Sequence, residues 1–368
     1  MSRFNGSVLL VGSVPGNDAH DAMSSCAEGL GSLLGALPDG ETGFRRAWIN
    51  FLAAKTYATC EQLETVSRPL PVEPGAPDEW RTADMDWVPR GFQDHWQFKV
   101  KAPGLPLRFE TLGYADEARQ SYQTFCSLRD RGVIPHGVRF QVSLPLTESG
   151  TRLFIGHSPD SFHPLWDAYQ DAMRRELAWL SREIPPGDLA VQWDIAAEVA
   201  CIEANDHDPL MGLPWDAPGD PFDRYGQALA DLSPHIHEDV LLGLHLCYGD
   251  LGHKHFKEPH DLSLVVRMAN AGVAAIRRPV DFVHMPVPRN RHDDAYFAPL
   301  ADLSIGSTKL FLGLVHHTDG VEGTLRRLAT AQQHARGFGL ATECGFGRRP
   351  PETIPELLRI HREAAARL

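Results

Sequence analysis

The sequence predicts an α/β protein built as a single (β/α)8 barrel, with a long insertion after the second strand. Two observations carry that expectation. Eight short apolar runs recur along the 368 residues, most of them followed by turn residues and then by a helical pattern. The runs are nearly continuous rather than alternating, as parallel strands covered on both faces are. Eight such units suit a closed barrel better than an open sheet.

In chain order the runs are SVLLVGSVP (7–15), SLLGALPDG (32–40), VRFQVSLPL (138–146) and LAVQWDIA (189–196). VLLGLHLC (240–247), DFVHMPVP (281–288), KLFLGLVHH (309–317) and FGLATECGF (338–346) follow. Between them, LWDAYQDAMRRELAWLSREI (165–184) and VEGTLRRLATAQQHARGF (321–338) repeat apolar residues every three or four positions, the spacing of a helix with one buried face. The stretch from 47 to 137 breaks the alternation. RAWINFLAAKTYATCEQL predicts a helix over 46–63, after which the chain turns rich in Pro, Trp and charge. With no composition shift elsewhere, the whole chain (1–368) reads as one domain and 52–137 as an insertion, either a lid over the barrel mouth or a surface extension.

Composition narrows the function classes. A net charge of −13 disfavours a nucleic-acid partner held through phosphates. There is no apolar run of about 18 residues to span a membrane, and the opening residues lack the apolar core of a signal peptide. Six dispersed cysteines fit reduced thiols, so a cytoplasmic enzyme is expected. The sequence leaves the oligomeric state open.

Chemistry in such a barrel gathers at the C-terminal strand ends. Those ends carry Ser13, then Asp39 and Glu41, then Asp194 followed by Glu198. His245 and Cys247, His284, His316 and His317, and Glu343 with Cys344 complete the set. Residues two apart on a strand point the same way, so His245 and Cys247 can reach one ion, with Cys344 arriving from the eighth strand. One imidazole and two thiolates suit zinc. The competing reading makes all three buried core residues, since free cysteine is among the most buried types. Likewise Glu41 could simply pair with Arg45 or Arg46, and Asp194 could cap the following helix. GHKHFKEPH (252–260) reads as an exposed loop beyond the strand end.

Six segments in the same order resemble the catalytic barrel of cobalamin-independent methionine synthase and its single-barrel relatives, such as epoxyalkane:coenzyme M transferase. They are LLVGSVPGN, DGETG, VQWD, HLCYGD, GLVHHTDGVE and ATECGFGRR. The resemblance covers most of the chain outside 52–137. It implies zinc held by His245, Cys247 and Cys344. It also implies that Glu41, Asp194 and Ser13 bind the amino-acid part of a homocysteine-like thiol, and that His317, or its neighbour His316, is the acid–base residue. Methyl or other alkyl transfer from a small-molecule donor to that thiol would be the reaction, or the reverse cleavage of a C–S bond. Two departures stand out. The sixth strand lacks the Glu that the family uses as fourth ligand, which leaves that place to His284 or to water. His316 stands where the family has Asp. A metal-free decarboxylase-like barrel and a non-catalytic small-ligand barrel are the alternative readings.

Overall fold

A computed structural model describes residues 3–68, 96–102, 104–155, 158–204, 217–250 and 254–368. The Pro- and Trp-rich centre of the expected lid lies outside the described residues. Seven of the eight predicted runs form one parallel sheet. Its strands are β1 (Ala36–Pro38), β4 (Arg139–Pro145), β5 (Leu189–Ile195), β6 (Leu241–Leu246), β7 (Phe282–Pro286), β8 (Lys309–Val315) and β9 (Gly339–Thr342), in that spatial order. The first run bridges both edges. Val8 pairs with Leu34 beside β1 and with Leu340 of β9, and Ser13 pairs with Gly40, all in parallel. The Leu9 N–H donates to Leu340 O at 2.9 Å and the Val14 N–H to Gly40 O at 2.8 Å.

The outer face is covered by α1 (Ala19–Leu30), α3 (Tyr114–Asp130), α5 (Phe162–Glu183), α7 (Pro221–Leu232), α8 (Ser263–Ala275), α10 (Gly320–His334) and α11 (Ile354–Ala365). α2 (Asn50–Leu52), α4 (Thr147–Ile155), α6 (Ala197–Glu203) and α9 (Asp294–Phe297) are shorter. Helix starts follow local chemistry. The Asp220 carboxylate accepts the Phe222 and Asp223 N–H groups ahead of Pro221, and the Asp18 carboxylate accepts the Asp21 N–H. The start of α3 is capped from another helix: Glu176 of α5 accepts the Leu112 and Ala115 N–H groups, each at 2.6 Å. Among the described residues no helix is long and apolar enough to cross a membrane.

Two expectations for 46–137 change. The helix expected over 46–63 is broken into a 3-10 turn (Gly43–Ala47), α2 and a π turn (Ala53–Tyr57), and Leu63 already opens strand β2. The break falls at Trp48, whose φ of 54° is the left-handed region that side chains avoid. Within the span read as insertion, α3 is the ordinary crossover helix between β1 and β4, packed on α1, β4 and α5. What departs from the repeat is β2 (Leu63–Ser67) paired antiparallel with β3 (Gln97–Val100). Rings of Tyr57, Phe98 and Phe154 seat this pair against α4.

The inner face is apolar at one end and polar at the other. Phe4, Leu9, Val11, Ala36, Ala190, Leu241, Phe282, Phe311 and Ala341 form a buried cluster of their own. Phe4 meets Phe282 and Phe311 edge-on at 5.0 and 5.1 Å. Gly243 and Gly339 are required there, because a Cβ would overlap those two rings. Each fully buried Phe contributes about 1.5–3 kcal/mol, so this end is a solid base. Two residues further along each strand the same face turns polar. Ala190 is followed by Gln192 and Asp194, Leu241 by Gly243 and His245, and Phe282 by His284. Register aligns Asp194 with His245 and His245 with His284.

Candidate active site

The His245, Cys247 and Cys344 ligand atoms lie within 4.8 Å of one another at the polar end of the sheet. β6 delivers the first two by its two-residue side-chain period. The Cys247 N–H donates to Ile195 O at 2.9 Å and so prolongs the strand past Leu246. Cys344 follows β9 by two residues. Its Sγ stands 3.8 Å from Cys247 Sγ and 4.0 Å from His245 Nε2. Two thiolates on one tetrahedral zinc at ~2.3 Å stand about 3.8 Å apart. The sulfur pair therefore fits zinc, with His245 a few tenths of an ångström further out than ideal.

The rest of His245 is arranged for the same task. Its Nδ1 is 2.7 Å from His284 Nδ1, and His284 Nε2 is 2.9 Å from Thr342 O. One proton arrangement satisfies the row without adding charge. His284 Nε2–H donates to the carbonyl and His245 Nδ1–H donates to His284 Nδ1, which leaves the His245 Nε2 lone pair facing the thiols. Burial keeps both rings neutral, pushing His245 down to about 3 and His284 well below the usual imidazole range. His284 thus stands behind His245, with both nitrogens engaged away from the sulfurs. Of the two occupants the sequence left open for a fourth position, His284 or water, His284 is here turned away from the sulfurs. We expect His284→Phe to lower zinc affinity about 10- to 100-fold, read by competition with a chelating dye. Unchanged affinity would show that the row does not orient His245.

Cys247 Sγ donates to Cys344 Sγ across that 3.8 Å. The hydrogen bond between them lowers the Cys344 thiol and raises that of Cys247. Arg348 adds positive charge, with Nη2 4.0 Å from Cys344 Sγ and 3.2 Å from Asp250 Oδ2.

On one side of the sulfurs sits a pair of acids. Burial raises both Glu41 and Asp194, and Asp194 reaches about 8. Asp194 does not cap α6, whose first N–H groups are met by Ser149 Oγ. It accepts instead from Gln192 Nε2 at 2.8 Å and from Trp48. Arg45 pairs with Asp39 at 2.7 Å rather than neutralising Glu41. Among the described residues only Glu41 and Trp48 carry a positive φ without being glycine, and both belong to this pair's surroundings. Strain of about 1–3 kcal/mol each, held in place by the surrounding structure, is characteristic of functional positions. Ser13 stitches the first strand to the Cys344 loop, accepting the Gly347 N–H on Oγ and the Phe346 N–H on its carbonyl. Glu198 lies apart, buried on Ser149, and burial raises it to about 7.

Past the ends of β7 and β9, a cleft of about 360 Å³ is lined by His255, His316, Glu343, Arg289 and Arg349, among others. Glu343 bridges two imidazoles, with Oε1 3.3 Å from His255 Nε2 and Oε2 3.4 Å from His316 Nδ1. Burial raises its carboxyl to about 8 and lowers His316 to about 3. His316 donates Nε2–H to Val287 O at 2.8 Å, so Nδ1 is the free acceptor facing Glu343. His317, favoured from the sequence, does not line this cleft. It lies towards Glu356 of α11, whose carboxyl is lowered chiefly by Arg359 and in smaller part by His317. His255 was the residue the sequence concealed. Its segment doubles back, with the Phe256 N–H on Tyr248 O at 2.8 Å and Lys257 on Glu203 at 2.7 Å. This leaves the His255 side chain 6 % exposed while that of His260 is 98 % exposed. No local pattern announces that return.

No protein-family model and no curated protein matches the sequence. Solved structures do match its fold. A B12-independent methionine synthase from Shewanella sp. W3-18-1, in complex with selenomethionine, is 14 % identical with a TM-score of 0.59, over 98 % of this chain and 95 % of that one. A candidate vitamin-B12-independent methionine synthase from Listeria monocytogenes is 14 % identical with a TM-score of 0.54, over 95 % and 86 %. At this identity the likeness is one of fold.

Proposed function

We propose that the protein transfers a methyl or other alkyl group from a small-molecule donor to a thiol, with zinc held by His245, Cys247 and Cys344. The setting is a closed (β/α)8 barrel whose eighth strand is the bridging segment 7–14. The observation that carries the proposal is the three-ligand cluster. Structural zinc sites are closed by four protein ligands, whereas catalytic ones keep a position open, and among the described residues no fourth His, Cys, Asp or Glu joins the three.

Zinc, when bound there, favours the thiolate form of a coordinating thiol at neutral pH. The remaining tasks fall to the chain. Glu41 and Asp194, with Ser13 beside them, would receive the ammonium of a homocysteine-like thiol. Two buried acids that repel each other's ionisation gain most from a cation placed between them. The new bond is sulfur to carbon. The donor's bond from that carbon to its leaving atom breaks, and the electron pair goes to the leaving atom. Its proton would come from the cleft side, where His316 and Glu343 stand, rather than from His317. Run backwards, the same arrangement cleaves a C–S bond.

The test is to incubate zinc-loaded protein with homocysteine and a panel of alkyl donors, and to follow free thiol and thioether by mass spectrometry. Consumption of thiol that stops when zinc is chelated is the expected result. Consumption at the same rate without zinc would sink the reading, as would no consumption with any donor class.

A further inference from the structure

The cleft beside the sulfurs holds two guanidiniums that no carboxylate meets among the described residues. Asp250 is paired with Arg348, whose Nη2 is 3.2 Å from Oδ2 and whose Nε donates to the Asp250 carbonyl at 2.9 Å. Glu258 lies 3.4 Å from His255 Nδ1, and Glu343 is held between His255 and His316. Each acid on the wall therefore has its own cationic or imidazole partner. Two guanidiniums on the same wall do not. Arg289 donates to the Thr318 hydroxyl at 3.0 Å and, among the described residues, meets no carboxylate. Arg349 has no side-chain hydrogen bond or ion pair among the described residues, yet lies close enough to offset a small part of the rise that burial imposes on Glu343 and to add slightly to the lowering of His316.

We infer that this cleft is a binding site for an oxyanion, a carboxylate or a phosphate, held by Arg289 and Arg349 as part of the substrate that does not carry the reacting thiol. The chemistry is that of the fork of donors on each guanidinium, which suits planar carboxylates and phosphates. The Thr318 hydroxyl lies on the same wall and already accepts from Arg289. Position supports the division of labour. The acid pair Glu41 and Asp194 flanks the sulfurs from the β1 and β5 side, where a cation belongs, while the guanidiniums lie past the ends of β7 and β9. A donor anchored here by its acidic group would present its electrophilic carbon to the sulfur from the cleft wall, separate from the acids that take the thiol's amino group. In assigning the anion to the donor, this inference rests on the transfer reading. The anion site itself does not.

Isothermal titration separates the two. Wild-type protein titrated with inorganic phosphate and, separately, with succinate should bind at least one of them with a Kd of about 1–10 mM. The preferred probe tells whether the cleft favours phosphates or carboxylates. Arg349→Gln and the exposed Arg289→Gln, each with an unchanged melting temperature and zinc content, should weaken that binding about ten-fold. Saturating homocysteine should leave it unchanged. No binding of either anion up to about 50 mM, or undiminished binding in both variants, overturns the site. Competition by homocysteine overturns its assignment to the donor. Anion binding by protein that takes up no zinc would leave the oxyanion site standing and remove the transfer reading.

Discussion

Protein purified without chelator is expected to hold about one zinc per chain, and the Cys344→Ser protein to hold almost none. The effect is large because, among the described residues, only three donors converge there, and none of the others described stands ready to make good the loss. Even removing an orienting partner costs a metal site about 10- to 100-fold in affinity, and removing a ligand should cost roughly a hundred-fold or more. Mass spectrometry under native conditions reads the stoichiometry directly. Cys26→Ala is the control, since Cys26 is a buried free thiol on α1 with no part in the cluster. Zinc retained by Cys344→Ser, or lost equally from Cys26→Ala, would mean that the sulfur pair is packing and not a metal centre. Circular dichroism of the variants should stay that of the wild type, because Cys344 lies beyond the last residue of β9.

The second large effect concerns the acid pair. Homocysteine is expected to bind about a hundred-fold more tightly than 4-mercaptobutyrate, which keeps the thiol and carboxylate but lacks the amino group. The reason is electrostatic. Burial raises Glu41 and Asp194, the latter to about 8, so at pH 7 the pair retains a proton that free carboxyls would have lost. A bound ammonium favours the ionised form and expels that proton. Titration calorimetry in buffers of different ionisation enthalpy should therefore show proton release between about pH 5 and 8. Release should fade above that window, where the free pair has already ionised. In Asp194→Asn the hundred-fold preference should shrink to near unity while zinc content stays the same. A preference that survives the substitution would place the amino group elsewhere.

Much of this site was legible in the sequence, because the side-chain period within a strand is fixed by covalent geometry. Once β5 and β6 were recognised as strands, Gln192 had to share a face with Asp194, and His245 with Cys247. The apolar residues below them then formed the base on which the polar end rests. The finer arrangement across the sheet was not legible, since it depends on strand stagger and on loops whose course no local pattern fixes. The meeting of Cys344 with His245 and Cys247 was expected from the strand ends, but only the tertiary structure set its distance, 3.8 Å from Cys247, and seated His284 behind His245 rather than beside the sulfurs. Of the two candidate histidines His316 and His317, it placed His316 in the cleft wall. Trp48 and His255 were hidden for the same reason. One interrupts what reads as a helix so that its indole meets Asp194, and the other returns on a loop that reads as solvent-exposed. Local chemistry determined which residues could act, and the closure of distant strand ends on one another decided which of them meet.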